Sequence, residues 1–365
     1  MINNIFTEAA GIKFRLTRLV PIMRIAVLLV CVFLSSILLS QDTGKISLFD
    51  KLYKASDLSI TLTYPFDSLV KTNNEEIDAY VTIISKEGVI VKDAPMAINI
   101  RGKFRRMKCS MPPLLLNFKK STLKELNLLS YDEIKLVTHC IDGPEGQHNL
   151  QEERLVYQLY ETFTPLAYRS IWLTVEYCNS LKKGECYKST GFLLEPDKVI
   201  SDRLGVKEMK MYNMAEDSID YNSYSHTAAF NFLIGNRDWS IISSRNAKLF
   251  YNPAMRQYVV IPYDFDYANI VGASYRRETI HKSMSHPFDR IYEGEYFKDR
   301  AGEILKTFYQ FEKPILDAVN TARNPMDTQR REKICKYFES WFSMVKKSKA
   351  DKLKYGSVCP YNGSL

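Results

Sequence analysis

The chain has 365 residues, with 50 Lys and Arg against 42 Asp and Glu, and it is 45% hydrophobic and 25% charged. This composition excludes a disordered polar chain, a collagen-like repeat and a membrane protein with many spans, and the length allows two domains. The formal net charge of +8 is compatible with nucleic acid, a membrane surface or an acidic substrate as partner. The position of the basic residues along the chain must decide between these classes.

The N-terminal segment has the pattern of an export signal. Basic residues precede an uncharged, strongly apolar run over residues 25–40, which is about as long as a signal-peptide core and short for a membrane-spanning helix. We predict a signal peptide over residues 1–40. Met23 lies where a natural start would lie, which would make residues 1–22 an over-extended start. An uncleaved membrane anchor is the alternative. Removal of residues 1–40 takes away four basic residues and one acid, which lowers the net charge from +8 to +5.

Cysteine usage agrees with export. Six cysteines remain after removal of this segment, and an even number in an oxidising compartment favours disulfides. No Cys-x-x-Cys pair occurs, which argues against a zinc ribbon. The sequence leaves the connectivity open, and our prediction joins near neighbours: Cys109 with Cys140, Cys178 with Cys186, and Cys335 with Cys359.

Residues 41–148 have the pattern of a β-rich region. Residues 56–64 alternate between apolar and polar side chains, which is typical of a strand with one buried face. Turn residues separate this run from the ones that follow. The further predicted strands lie at 79–84, 96–100, 114–118 and 134–138. We therefore predict an antiparallel β-rich N-lobe in this part of the chain.

The rest of the chain is mainly helical. In residues 149–297 we predict helices at 149–163 and 222–235, strands at 169–177 and 187–194, and a hairpin from 246–251 and 256–262. In residues 298–365 we predict two amphipathic helices, at 298–320 and 328–347.

The strongest chemical signal surrounds the predicted hairpin. Asp238 precedes it, Asn246 opens it, and Asp264 and Asp266 follow it on either side of Phe265. Phosphoryl transfer needs one carboxylate that accepts a hydroxyl proton, and an Asn and an Asp that hold Mg²⁺, and protein kinases carry these residues in this order. Because alternate residues of a strand share a face, the two later carboxylates favour a metal pair. Ordinary turn capping by Asn and Asp is the alternative.

Several stretches of the chain resemble the spore coat protein H (CotH) family of atypical secreted protein kinases. The matching stretches, which span about 170 residues in the family's order, are IRGKFRRMKC (100–109), IKLVTHC (134–140), EERLVYQLYETFTPLAYR (152–169), TGFLLEP (190–196), FNFLIGNRDWSIISSRN (230–246) and VIPYDFDYANIVGA (260–273). The resemblance implies an α+β, two-lobed protein-kinase-like fold, with a β-rich N-lobe and a mainly helical C-lobe that carries the catalytic hairpin. It also implies transfer of the γ-phosphoryl group of ATP to Ser or Thr of a protein, dependent on Mg²⁺ or Mn²⁺.

The same resemblance implies roles for individual residues. A catalytic base would accept the proton of the acceptor hydroxyl, metal ligands would follow it, and a loop and a helix would contact ATP. The implied residues are Asp238 as the base, Asn246, Asp264 and Asp266 at the metal, Arg101, Gly102 and Arg105 over the phosphates, and Glu153 as the ion-pair partner of a nucleotide-binding lysine.

One position departs from the family pattern. Leu115 stands where a strand lysine that pairs with phosphates is expected, and an apolar side chain cannot do this. Lys135 on a neighbouring predicted strand, or Lys119 or Lys120, could replace it, since the site needs a cation more than a fixed position for it. If none does, the chain is a catalytically degenerate kinase-fold protein with a binding role.

These patterns also predict partners and location. The expected partner is a protein substrate with a Ser or Thr acceptor, without nucleic acid and without stable membrane insertion after signal cleavage. The basic residues near 101–108 are better suited to phosphate than to nucleic acid, because only one aromatic residue is interleaved with them. The expected location is exported: periplasmic, at the cell surface or secreted. A metal-dependent phosphohydrolase that uses Asp264 and Asp266 is a further alternative.

Overall fold

A computed structural model describes residues 44–67, 75–276, 281–322 and 325–365. The predicted signal peptide lies outside the described residues. Nearly all described residues belong to one compact unit, Ser47–Leu365. In the described part of the chain, no helix has the length and apolar character needed to cross a membrane.

The main sheet is a closed barrel of seven strands. Its strands follow one another around the barrel in the order β1-β2-β3-β4-β5-β7-β6. Every neighbouring pair is antiparallel except β1 and β6, which pair in parallel and close the barrel. The strands are β1 (Ser59–Tyr64), β2 (Ile77–Ser85), β3 (Gly88–Ile100), β4 (Leu114–Phe118), β5 (Glu133–Thr138), β6 (Ser170–Asn179) and β7 (Cys186–Leu194).

Alternation along the strands separates the barrel interior from its outer face. Leu114 and Leu116 on β4 and Leu136 on β5 are fully buried in one hydrophobic cluster. Leu115 and Lys135 belong to the other face and lie opposite each other in the antiparallel register of β4 and β5. Cross-strand partners in a sheet point to the same side, so Lys135 projects beside the position where the family pattern expects its lysine.

The helices and two small sheets lie outside this barrel. Strands β8 (Lys207–Met209), β9 (Ala247–Asn252) and β10 (Gln257–Pro262) form a sheet in the order β10-β9-β8, and β11 (Arg290–Ile291) pairs with β12 (Val358–Cys359). The helices are α1 (Leu48–Tyr53), α2 (Lys103–Lys108), α3 (Lys120–Glu125), α4 (Gly143–Glu161), α5 (Asp197–Leu204), α6 (Tyr221–Ile234), α7 (Ala301–Phe308), α8 (Glu312–Thr321) and α9 (Thr328–Lys347).

The predicted two-lobed protein-kinase-like fold is wrong for this chain. The prediction confined the large sheet to an N-lobe over residues 41–148, but β6 and β7 come after α4 and complete the barrel. Closure depends on the parallel pairing of β1 with β6, in which Ser59 lies opposite Thr174. These two strands are far apart along the chain. Strand periodicity reports which side chains face a core, but it carries no information on which distant strands pair.

The predicted helix over residues 298–320 is also wrong in part. The structure contains two helices, α7 and α8, separated by a short 3-10 turn over Tyr309–Phe311. The break has a local cause. Pro314 has no backbone N–H and cannot continue a helix from the preceding turn, but it is tolerated in the first turn of a new one.

Two of the three predicted disulfides are confirmed. Cys109 is bonded to Cys140, and Cys178 is bonded to Cys186, which is consistent with an exported protein. The predicted pair of Cys335 and Cys359 is wrong, because both residues are free thiols. Cys359 is buried and its Sγ lies 3.0 Å from Nη2 of Arg290, so it has a polar partner in place of a second sulfur.

Helix α4 connects the barrel with the helical region. The Tyr157 ring on α4 lies 5.7 Å from the Phe192 ring on β7 and 4.9 Å from the Phe265 ring after β10. Edge-to-face contacts of this kind fix the orientation of large aromatic rings. The helix therefore has one position relative to both sides, and Glu153, one turn before Tyr157, is held between them.

Candidate active site

A cleft of about 220 Å³ lies where the outer face of the barrel meets α4 and the end of the β9–β10 hairpin. Its walls come from segments that are distant in the sequence. All nine residues with an expected catalytic, nucleotide-binding or metal-binding role line this one cleft: Arg101, Gly102, Arg105, Lys135, Glu153, Asp238, Asn246, Asp264 and Asp266. The structure brings these residues together, and their chemical roles remain predictions. The two alternatives to Lys135, Lys119 and Lys120, are not among the residues that line it.

Arg105 lies at the centre of the acidic side of the cleft. Its Nη2 is 3.1 Å from Oε2 of Glu153, 2.8 Å from Oδ2 of Asp266 and 3.4 Å from Oδ1 of Asp264. Its Nε donates a second hydrogen bond to Asp266, and the residue is 9% exposed. The cation that pairs with Glu153 is therefore an arginine on α2 and not a lysine on a strand.

The acidic side carries more negative than positive charge. Three carboxylates contact one guanidinium, and both Glu153 and Asp266 are buried. Burial raises the pKa of Glu153 and of Asp266, and the neighbouring carboxylates add to the shift, although Arg105 opposes it. A second cation would relieve this excess of negative charge.

The backbone at Asp264 aims its carboxylate into the cleft. Asp264 has a left-handed backbone with φ of 60°, which Asp and Asn tolerate better than most residues. Its N–H donates a hydrogen bond of 2.8 Å to Oη of Tyr157, and its side chain is 45% exposed. The carboxylate is thus held at the cleft surface and not in the core.

Asp238 and Asn246 form a hydrogen-bonded pair. Nδ2 of Asn246 donates to the backbone O of Asp238 at 2.7 Å and to its Oδ2 at 2.9 Å. Oδ1 of Asp238 lies 3.3 Å from Nε of Arg245. Burial raises the pKa of Asp238, and Arg245 opposes the shift. A fixed carboxylate with a raised pKa is suited to accepting a proton.

The opposite side of the cleft carries cations. Lys135 lies 3.6 Å from Asp197, but Asp197 also pairs with Lys248 at 2.6 Å. Burial lowers the pKa of Lys135 to about 8, although Asp197 opposes the shift. Within the described ranges, no carboxylate lies within ion-pair distance of Arg101. Lys135 and Arg101 are the cations that line this side of the cleft, and cations with so little pairing would attract an anion.

Tyr157 and Asp197 also shape the cleft, and the sequence did not predict a site role for either. Tyr157 positions Asp264, and it lies four residues after Glu153, on the same face of α4. That spacing is a usable signal. Asp197 pairs with both lysines and lies at the start of α5, where an acidic residue is a common helix-start feature. Nothing in its local sequence distinguishes it from such a residue.

Three residues at the acidic side carry the kinds of oxygen donor that a hard divalent cation uses. Across residues 44–67, 75–276, 281–322 and 325–365, no three His, Cys, Asp or Glu side chains are arranged to hold a metal ion. Asp264 and Asp266 nevertheless supply carboxylate oxygens and Asn246 an amide oxygen, which are the donors that Mg²⁺ and Mn²⁺ prefer. The excess of negative charge on this side of the cleft also favours a cation there.

We expect Lys135→Met to raise the free energy of unfolding at pH 7 by about 1–2 kcal/mol, because an apolar side chain carries no desolvation penalty. The folded-state pKa of about 8 is lower than the ordinary value of 10.5. The wild-type protein therefore gains stability as pH rises from 8 to 10.5, since its folded state loses the proton first. The difference in free energy of unfolding between Lys135→Met and wild type should therefore shrink from pH 8 to pH 10.5. Urea unfolding at several pH values measures it.

Lys248→Met is the matched control for this prediction. Asp197 and Glu208 raise the pKa of Lys248 despite its burial. Its charge stabilises the fold, so we expect this variant to lose stability at pH 7. A higher free energy of unfolding in both variants would contradict the prediction. So would a stability difference between Lys135→Met and wild type that does not change with pH.

Comparison with known proteins adds no relative. Neither a scan against protein-family models nor a search of curated proteins finds a match for this chain. The resemblance to the CotH family thus rests on the six sequence stretches between residues 100 and 273.

Proposed function

We propose that the chain is a CotH-like enzyme that transfers the γ-phosphoryl group of ATP to a Ser or Thr hydroxyl of a protein. The observation that carries the proposal is the composition of the cleft, in which carboxylates line one side and weakly paired cations line the other. Phosphoryl transfer relies on positioning and on electrostatic stabilisation, and it needs both kinds of charge around the phosphates.

Each side of the cleft has a part in this proposal. Asp238 accepts the proton of the acceptor hydroxyl. Asn246 orients the Asp238 carboxylate through the hydrogen bonds described above. Asp264 and Asp266, with Asn246, would hold Mg²⁺ or Mn²⁺, which when bound neutralises charge on the phosphates. Lys135 and Arg101 face the phosphates from the other side.

The wall between these groups suits a nucleobase. Val137 and Leu194 project from adjacent strands of the barrel, and Pro113 precedes β4, so together they supply an apolar surface at the cleft. Nucleotide sites commonly combine such a surface with a few polar groups that fix orientation.

The proposal does not depend on a kinase fold. Chemistry resides in the arrangement of side chains, and one arrangement can occur on different scaffolds. The exported location, whether periplasmic, at the cell surface or secreted, is part of the proposal and is supported by the two disulfides.

The test is incubation of the full chain with γ-³²P-ATP, MnCl₂ and an acidic protein acceptor. We expect covalent label on Ser or Thr of the acceptor or of the chain itself. Release of free phosphate without protein labelling would overturn the proposal in favour of a phosphohydrolase. Absence of label together with absence of calorimetric heat for ATP and Mn²⁺ would overturn it in favour of a non-catalytic binding protein.

A further inference from the structure

The acidic side of the cleft contains a cation supplied by the chain itself. Nε and Nη2 of Arg105 both contact Oδ2 of Asp266, and Nη2 also contacts Asp264 and Glu153. Asp264 and Asp266 are two of the three residues that would hold a divalent cation. A guanidinium and a divalent cation cannot take the same carboxylate lone pairs at once, so a cation at Oδ1 of Asp264 or Oδ2 of Asp266 would compete with Arg105.

The helix that carries Arg105 has little support of its own. Helix α2 has six residues, no side chain caps its N-terminus, and Met107 on it is 74% exposed. A helix of this length is unstable in isolation. Its position must therefore come from contacts outside the helix, and among its described side chains Arg105 is the one buried at the cleft.

The Cys109–Cys140 disulfide anchors the C-terminal end of this helix. The N–H of Cys109 donates to the backbone O of Arg105 at 2.8 Å, and the disulfide joins Cys109 to the segment that follows β5. Ser110 strengthens the same connection, because its N–H donates to the backbone O of Cys140 at 2.9 Å. The disulfide thus lies one helical turn from the guanidinium that neutralises the acidic side.

We propose that Arg105 competes with the divalent cation for Asp264 and Asp266, and that the Cys109–Cys140 disulfide holds Arg105 in place. The inference rests on the metal site of the proposed function. A dithiol reductant would break the S–S bond, give two electrons and two protons to Cys109 and Cys140, and itself become a disulfide. Helix α2 would then be joined to the segment after β5 through the Ser110 hydrogen bonds without the covalent bond, and the cleft would bind the cation more tightly. Cys109 is the partly exposed member of the pair and the point of attack.

The test measures Mn²⁺ binding to the full chain by calorimetry without nucleotide. Arg105→Gln removes the competing charge, and the double variant Cys109→Ser/Cys140→Ser removes the anchor. We expect each to bind Mn²⁺ at least about tenfold more tightly than wild type, since a unit charge within about 4 Å of the ligand oxygens is removed or released. Arg105→Lys keeps the charge and should show a smaller change.

The second disulfide provides the matched control. Cys178→Ser/Cys186→Ser removes a bond at the far end of β6 and β7 and should leave the Mn²⁺ affinity unchanged. Equal tightening in both double variants would overturn the role of the anchor. Unchanged or weaker binding in Arg105→Gln would overturn the competition.

Chemical reduction of the wild-type protein is a second way to remove the Cys109–Cys140 bond. If the double variant at Cys109 and Cys140 does not fold, the folded wild-type protein is reduced with a phosphine, which takes its oxygen from water, and Mn²⁺ binding is measured again with the same expectation. If the affinities change as expected but protein labelling is never detected, the inference is supported and the proposed phosphoryl transfer fails.

Discussion

Replacement of Asp264 by Asn should reduce phosphoryl transfer by a factor of about 10²–10³ while the protein stays folded. The carboxylate lies 45% exposed at the cleft surface, where the proposed function places the metal and the phosphates. A neutral amide removes the negative charge that attracts the cation, and losses of this size are typical when an electrostatic group at the reacting centre is removed. The measurement is the initial rate of ³²P incorporation from ATP.

The backbone conformation at Asp264 determines which substitution removes the charge without also changing stability. Asp264 has φ of 60°, where Asn is tolerated and Ala is strained. The Asn variant should therefore unfold at the wild-type temperature, whereas Ala would combine loss of charge with loss of stability. Asp57 also has a positive φ, of 49°, and is exposed away from the cleft. Asp57→Asn is thus the matched control and should label at the wild-type rate.

Asp238→Asn tests the other half of the same proposal. An amide cannot accept the hydroxyl proton, and removal of a general base typically costs a factor of about 10²–10⁴ in rate. Nucleotide binding should be unchanged, because the change lies on the acceptor side. Labelling at the wild-type rate in either Asp264→Asn or Asp238→Asn would refute the role assigned to that residue.

The proximity of the candidate site residues could be predicted because their signals are local. Asn246 and Asp264 lie at the two ends of one hairpin, so spacing along the chain almost fixes their separation in space. Lys135 could be proposed as a substitute for the lysine absent at Leu115 because adjacent strands of alternating pattern place such residues side by side, and the register agrees. These inferences needed no knowledge of the whole fold.

The remaining features depend on contacts between distant segments. The parallel pairing of β1 with β6 closes the barrel, and nothing in either strand distinguishes it from an edge strand. The resemblance implies a position over the phosphates for Arg105, but its carboxylate partners in the structure lie up to 161 residues away along the chain. Burial and partner choice arise only when the core assembles, and a local pattern cannot report them.

Replacement of Glu195 by Ala should lower the free energy of unfolding by about 3–5 kcal/mol, the largest loss of stability we expect from a single residue. Glu195 is 0% exposed and accepts hydrogen bonds from two arginines. Nη2 of Arg169 lies 2.6 Å from its Oε1, and Nε of Arg203 lies 3.0 Å from the same atom. Removal of the carboxylate would leave Asp50 as the remaining acid on Arg169, and Arg203 would keep its hydrogen bonds to the backbone O atoms of Pro165 and Ala167.

The comparison of Glu195→Gln with Glu195→Ala separates charge from hydrogen bonding. Gln keeps an acceptor oxygen but not the charge, so its loss in urea unfolding should be smaller than that of Ala. Asp317→Ala breaks an exposed pair with Lys313 and should barely change stability.

Glu195 follows Leu194, which lines the cleft, and precedes Asp197, which holds Lys135. Loss of stability in Glu195→Ala should therefore be accompanied by weaker ATP binding, and a stable variant with normal ATP binding would show that this ion network does not support the cleft.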